Sequence, residues 1–168
     1  LVAEYFANNV SYGSVKWAIA GRNQFKLESL RKSLQQIDVA CAAVGILVAD
    51  TNKLESLEAM TSQTRIVATT VGPYAEYGEP LVNACVRTGT DYLDITGEPD
   101  FVILLCEKYH KDAQKRGALV INCCGFDSIP ADLGALYTVS QLPEDERKTV
   151  RCYVKTSGRP SGGTWNSA

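Results

Sequence analysis

The chain has no run of the roughly 18 consecutive apolar residues that a membrane span needs. Nor has it an excess of one charge. Seventeen basic residues against 19 acidic ones leave a formal net charge of −2, so no basic footprint for nucleic acid is present. The start, Leu1-Val2-Ala3-Glu4-Tyr5-Phe6, lacks the basic flank and cleavage site of a signal peptide. Among six cysteines (Cys41, Cys85, Cys106, Cys123, Cys124 and Cys152) no C-x-x-C pair occurs, and the adjacent Cys123-Cys124 do not bridge easily. That spacing excludes the common zinc sites, so no metal is expected. It suits buried, reduced thiols in an intracellular protein. Histidine is scarcer still. His110 stands alone, in the middle of an expected helix, and reads as a surface or half-buried residue rather than an acid–base group. There is no G-x-S-x-G elbow to support a hydrolase, and no G-x-G-x-x-G phosphate loop.

What is there is one device used three times between Thr64 and Leu136: an apolar strand, a polar turn, and a helix opened by proline. Ile66-Val67-Ala68 leads through Val71-Gly72-Pro73-Tyr74 to a helix near Pro80. Tyr92-Leu93-Asp94-Ile95 leads through Thr96-Gly97-Glu98 to one near Pro99, and Leu119-Val120-Ile121 through Gly125-Phe126-Asp127-Ser128 to one near Pro130. Proline suits the first helical turn because its missing N–H has no helical partner there. Two of the helices should stop at Gly89 and Gly117, each with a cation in the last turn. Upstream, Leu1 to Asn8 reads as the last turns of a helix and Val15–Ala20 as a strand ending at Gly21-Arg22-Asn23. A helix follows from about Gln24 to Ile37, then a strand from Gly45 to Asp50 buried on both faces, then a short helix within Thr51–Met60. The third proline-opened helix should end at Leu142-Pro143, before a strand at Val150–Val154 and a Gly/Ser-rich turn from Ser157 to Gly163.

Strands alternating with helices predict an α/β fold with a doubly wound parallel sheet, Rossmann-like. The order of elements is that of such a sheet incomplete at its N-terminus, with the first strand and its phosphate loop upstream of Leu1. Residues 1–156 would form the dinucleotide-binding domain and residues 157–168 the start of a connection to a second α/β domain. Ligands in these sheets sit beyond the carboxyl ends of the strands, which makes the polar turns the candidate site.

Four motifs occur in order: Trp17-Ala18-Ile19-Ala20-Gly21-Arg22-Asn23, then Val71-Gly72-Pro73-Tyr74 continuing to Tyr77-Gly78-Glu79-Pro80, then Asp94-Ile95-Thr96-Gly97-Glu98, and Gly125-Phe126-Asp127-Ser128-Ile129-Pro130-Ala131-Asp132. In these the chain closely resembles the saccharopine dehydrogenase-like oxidoreductases, including the trans-acting enoyl reductases. The resemblance implies NADP-dependent hydride transfer to an unsaturated lipid-like or imine-like substrate by a full-length parent, this stretch alone being inactive. The alternative is a non-catalytic nucleotide-binding or scaffold protein on lipid droplets or another membrane surface. A small-molecule or lipid-like substrate, a homodimer, and a cytoplasmic or peripheral membrane location complete what the resemblance implies; a nucleic-acid partner is not expected.

Within that frame Gly21, Arg22 and Asn23 end the strand whose tip meets the adenosine ribose. No carboxylate stands there to bind the NAD diol, and the Arg22 fork suits a 2′-phosphate, so NADP is preferred over NAD; a solvated arginine is the plainer reading. Lys26, one turn on, reads as solvated. Asp50 would either meet the adenine amino group or cap the following helix. Val71, Gly72, Pro73 and Tyr74 would form a cofactor wall, Gly72 allowing close backbone approach and Pro73 stiffening the turn, with plain core packing the competing role for Tyr74. Glu98 is explained by the helix it precedes or by orienting nicotinamide, and Asp127 and Ser128 by capping or by chemistry. No residue is assigned to catalysis. Hydride transfer requires no triad, because the cofactor carries the reactive chemistry.

Overall fold

The computed structural model describes residues 1–10, 14–155 and 157. Apart from Ser157, the Gly/Ser-rich turn and the expected connection at 157–168 lie outside the described residues. The chain divides into two compact units, Leu1–Met60 and Thr61–Ala168.

In the first unit, α1 (Val2–Asn9) precedes β1 (Ala18–Gly21), α2 (Gln24–Gln35), a 3-10 turn at Val39–Ala43, β2 (Gly45–Val48) and α3 (Leu54–Thr61). β1 and β2 pair in parallel, Ala18 opposite Gly45 and Gly21 opposite Val48. Leu27, Leu30 and Leu34 recur at helical spacing along α2. Leu27 and Leu34 join Ala7, Ile19, Cys41 and Val44 in the buried core, with Leu30 packed against it. Each leucine fully removed from water contributes about 1.5–3 kcal/mol. The expectation that the second strand is buried on both faces is corrected, since Val48 is 53% exposed; a sheet of two strands covers less of itself than a full one. The 3-10 turn was not legible in the sequence. Asp38 opens it by accepting from the Ala40 N–H at 2.9 Å.

In the second unit, β3 (Ile66–Thr69), a short α4 (Tyr74–Tyr77), α5 (Glu79–Thr88), β4 (Asp91–Asp94), α6 (Pro99–Arg116), β5 (Val120–Ile121) and α7 (Ile129–Ser140) follow in turn. The sheet is wholly parallel, in the order β3-β4-β5. All three prolines sit in the first helical turn, as expected. Gly89 and Gly117 close α5 and α6 at φ of 74° and 69°, the left-handed region where a Cβ is costly. Tyr92, Val82, Cys85, Phe101 and Leu105 are almost wholly buried, and burial pushes the Cys85 thiol up to about 12.

One expected element is absent. Val150–Val154 alternates like a strand but is assigned none; no described neighbour pairs with it, and Tyr153 and Val154 are largely exposed. The third proline-opened helix stops at Ser140, two residues short of the expected end. The cysteine reading also needs amending. All six are free, but only Cys41 and Cys85 are buried, while Cys106 and Cys152 are exposed.

Candidate functional site at the strand ends

At the end of β1 the chain turns directly into α2. Asn23 is the cap, its side-chain oxygen accepting from the Lys26 N–H at 3.0 Å, which satisfies one of the donors a helix start leaves unpaired. Asn23 is thereby committed to the backbone. Arg22 beside it is exposed and makes no hydrogen bond or ion pair with a described residue. Asp50, after β2, closes its own turn: its carboxylate accepts from the Asn52 N–H at 3.0 Å, and its backbone N–H donates to Ser56 Oγ at 3.0 Å.

The loops after β3, β4 and β5 are bound to one another. Asp94 is 1% exposed at the end of β4. Its Oδ1 accepts from the backbone N–H groups of Thr96 (3.1 Å) and Cys123 (3.0 Å). Its Oδ2 accepts from Tyr92 Oη (3.0 Å) and Asn122 Nδ2 (2.6 Å). A buried carboxylate is tolerable only with such a set of donors. The Tyr92 hydroxyl loses acidity, first through burial and then through the charge and hydrogen bond of Asp94. At the other end of the same strand, Asp91 Oδ1 accepts from the Leu119 N–H at 2.8 Å, so carboxylates bracket β4 and tie both its ends to the flanks of β5.

Glu98 acts at a distance in sequence. Its two oxygens accept from the N–H groups of Tyr74 (2.9 Å) and Ala75 (2.7 Å), so its side chain caps α4 and makes no side-chain cap to α6, the helix it precedes. Tyr74 is 5% exposed, stacks near Phe101 at 6.1 Å between centroids, and donates from Oη to the Thr69 carbonyl at 3.2 Å. Its side chain is spent on fixing the turn, whereas Val71 is 54% exposed and the Gly72–Pro73 peptide is cis.

The loop after β5 carries two features of its own. Cys123 adopts φ 60°, uncommon for a residue with a side chain and concentrated at functional sites. Its thiol is raised above the ordinary cysteine range by burial first, then by Asp94 and Asp127, and Ser128 offers it a hydrogen bond. Capping does not explain Asp127 or Ser128: α7 has no side-chain cap, and Asp127 forms no hydrogen bond with a described residue. His110 is exposed on α6, as expected.

The sequence reading did not foresee the hub at Asp94 or the reach of Glu98. The first had a signal. Tyr92 and Asp94, two apart on one strand, share a face, and a carboxylate in phase with a buried tyrosine needs partners. Among the described residues there is no cluster of three metal-ligating side chains and no helix long and apolar enough to cross a membrane.

Parallel strands alternating with helices, with polar loops gathered beyond their carboxyl ends, define a Rossmann-like nucleotide-binding domain. The family model of the saccharopine dehydrogenase NADP-binding domain matches residues 1–124, and the chain belongs to that family. A mouse saccharopine dehydrogenase-like oxidoreductase is 41% identical over 90% of the chain and 37% of its own length. A Mycobacterium tuberculosis protein named as a trans-acting enoyl reductase is 40% identical over 98% of the chain and 39% of its own length. A Caenorhabditis elegans lipid droplet localized protein is 37% identical over 99% and 39%. Among solved structures, apo saccharopine dehydrogenase (L-Glu forming) from Saccharomyces cerevisiae superposes with a TM-score of 0.64 at 18% identity, over 83% of this chain and 28% of that one. The chain thus spans under two-fifths of the length of these curated relatives. NADP is the cofactor of the family domain, and the end of β1 fits it: a free guanidinium stands there, with no carboxylate to repel a 2′-phosphate.

Proposed function

We propose that the chain is the cofactor-holding part of an NADP-dependent reductase that moves hydride between nicotinamide and an unsaturated lipid-like or imine-like substrate. The observation that carries this is the pairing at the end of β1, where Asn23 is committed to the helix and Arg22 is left free. Arg22 would grip the 2′-phosphate through its fork. The turn from Val71 to Tyr74, fixed by Glu98 and by the Tyr74 ring, would form a rigid wall for the cofactor, with its backbone rather than the tyrosine ring facing the ligand. Gly21 and Asp50 would shape the adenosine end. The bound cofactor would supply the hydride; these residues would hold and orient it.

A second reading is favoured by the lipid-droplet relative: a nucleotide-binding scaffold that performs no turnover. Titration of the full-length protein with NADPH and NADH, before and after Arg22→Ala, tests the first. We expect NADPH to bind at least about tenfold more tightly than NADH, a preference worth about 1.4 kcal/mol, and the variant to lose it. Equal affinity for both nucleotides in the wild type would sink the 2′-phosphate assignment. Binding without NADPH consumption across enoyl and imine acceptors would favour the scaffold.

A further inference from the structure

The helices of the second unit differ in what they do with their apolar side chains. α6 buries Phe101, Leu105, Tyr109 and Ala113, spaced by four, and turns its charged residues outward. α5 buries Leu81, Val82, Ala84, Cys85 and Val86. α7 buries none of its residues, although Asp132 is the one charge it carries.

α7 is apolar on two sides. Ala131, Ala135 and Val139, at i, i+4 and i+8, are half-buried and form its inner side. Ile129, Leu133, Leu136 and Tyr137, at i, i+4, i+7 and i+8, lie on another side and are 38%, 53%, 65% and 69% exposed. The hydroxyls of Thr138 and Ser140 donate to α7's own carbonyls, at 2.7 Å to Gly134 and 2.8 Å to Tyr137. A helix apolar on both sides belongs in an interior, with both sides covered.

Three observations bear on what covers the outer side. The family model of the NADP-binding domain ends at residue 124, so α7 lies beyond the domain that carries it. Val150–Val154, also beyond residue 124, leaves Tyr153 and Val154 largely exposed. The relatives match 90–99% of this chain, which covers only 37–39% of their length, so most of each relative lies outside these residues. A lipid surface suits α7 poorly. A helix that lies on one carries lysine or arginine along its polar side, and α7 has neither.

We propose that the outer face of α7, made by Ile129, Leu133, Leu136 and Tyr137, is the seat for an apolar surface of the sequence that follows residue 168 in the full-length protein. α7 leaves directly from the loop after β5, so a domain seated there borders the carboxyl ends of β4 and β5 and helps enclose the ligand they hold. The seat does not depend on the reductase reading, because a scaffold would need the same cover.

The test uses the full-length protein carrying Leu136→p-benzoylphenylalanine, irradiated with and without phosphatidylcholine vesicles. We expect a product of monomer mass in which peptide mapping joins residue 136 to residues after 168, whether or not vesicles are present. Leu133→Glu in the same protein should cut its yield at least about fivefold by placing a charge in a dry contact. Leu133→Met, which stays apolar and of similar volume, should leave it intact. Hydroxyl-radical footprinting of the wild type needs no variant to fold. It should modify Leu133, Leu136 and Tyr137 at least about tenfold more slowly in the native protein than in urea. A product of dimer mass would assign the face to a second copy, and a product with lipid would assign it to a membrane surface. Either of these, crosslinks confined to residues 1–168, or footprinting as fast in the native protein as in urea, overturns the proposal.

Discussion

At the end of β1 the chain closes on itself within three residues, Asn23 accepting from Lys26. At the end of β4 one buried carboxylate gathers donors from residues 92, 96, 122 and 123. Both arrangements satisfy polar groups that the turns would otherwise leave orphaned. They differ in what they fix. A local cap sets only the angle at which the helix leaves, and leaves the neighbouring Arg22 exposed with no described partner. A long-range hub locks the loops after β4 and β5 to each other. The first unit thus leaves its cation exposed at the strand end, and the second buries its anion among donors.

The comparison breaks most sharply at Asp94. Asp94→Ala removes four hydrogen bonds and strands buried donors, and we expect a loss of about 3–5 kcal/mol in unfolding free energy. Urea unfolding of the full-length protein would show it, with any surviving fold losing order at Cys123 and Asn122 first. A loss below about 1 kcal/mol would mean that the donors find water and that the hub is dispensable. Glu98→Ala should cost less, about 1–2 kcal/mol, because two donors at the start of α4 lose a cap that sits partly in solvent. It should also loosen the Val71–Tyr74 turn, so NADPH affinity should fall with it. Unchanged NADPH affinity in a destabilised Glu98→Ala protein would separate that turn from the cofactor.

These differences mark how far the sequence could be read. Local rules sufficed where the determinant was local. The three first-turn prolines, the left-handed Gly89 and Gly117, and the leucine spacing of α2 each dictated a helix or its end, and the parallel α/β class followed from their order. The cap at Asn23 is local too, yet the sequence reading places that side chain at the cofactor instead. What failed to show was long-range. Glu98 meets Tyr74 across 24 residues, and no propensity encodes that. Val150–Val154 carries the alternation of a strand but has no described partner, and alternation without a partner makes no ladder. Asp127 was ambiguous for a related reason: a carboxylate before a helix usually caps it, and only coordinates could show that here it does not.

On the local side, Asn23→Ala should cost about 1 kcal/mol and act on the first unit alone. Hydrogen exchange would register faster amides at the start of α2 and no change around Asp94. Exchange that quickened in both units would erase the contrast between local and long-range closure. Asn23→Asp should retain the cap, yet weaken NADPH binding by placing a negative charge beside the 2′-phosphate; an unchanged NADPH affinity would remove Arg22 and its neighbours from the phosphate site.

The smallest effect belongs to the pair that joins α5 to α6. Glu79 accepts from Lys108 Nζ and, at 2.9 Å, from Tyr109 Oη. The bond to Lys108, then that to Tyr109, lowers the Glu79 carboxyl below its ordinary value of 4.5 against a modest opposing effect of burial. A carboxyl that titrates lower folded than unfolded stabilises in full above its unfolded value, and the gain fades as pH falls through the lowered one. Glu79→Gln should therefore melt below the wild type near neutral pH, and the two should converge as the medium is acidified through the lowered Glu79 value. Since the pair is partly exposed, added salt should shrink the gap as well. A gap that persists unchanged through the acid range would mean that Glu79 acts by packing and hydrogen-bond shape, not by charge, and would place this side of the second unit with Asn23 rather than with Asp94.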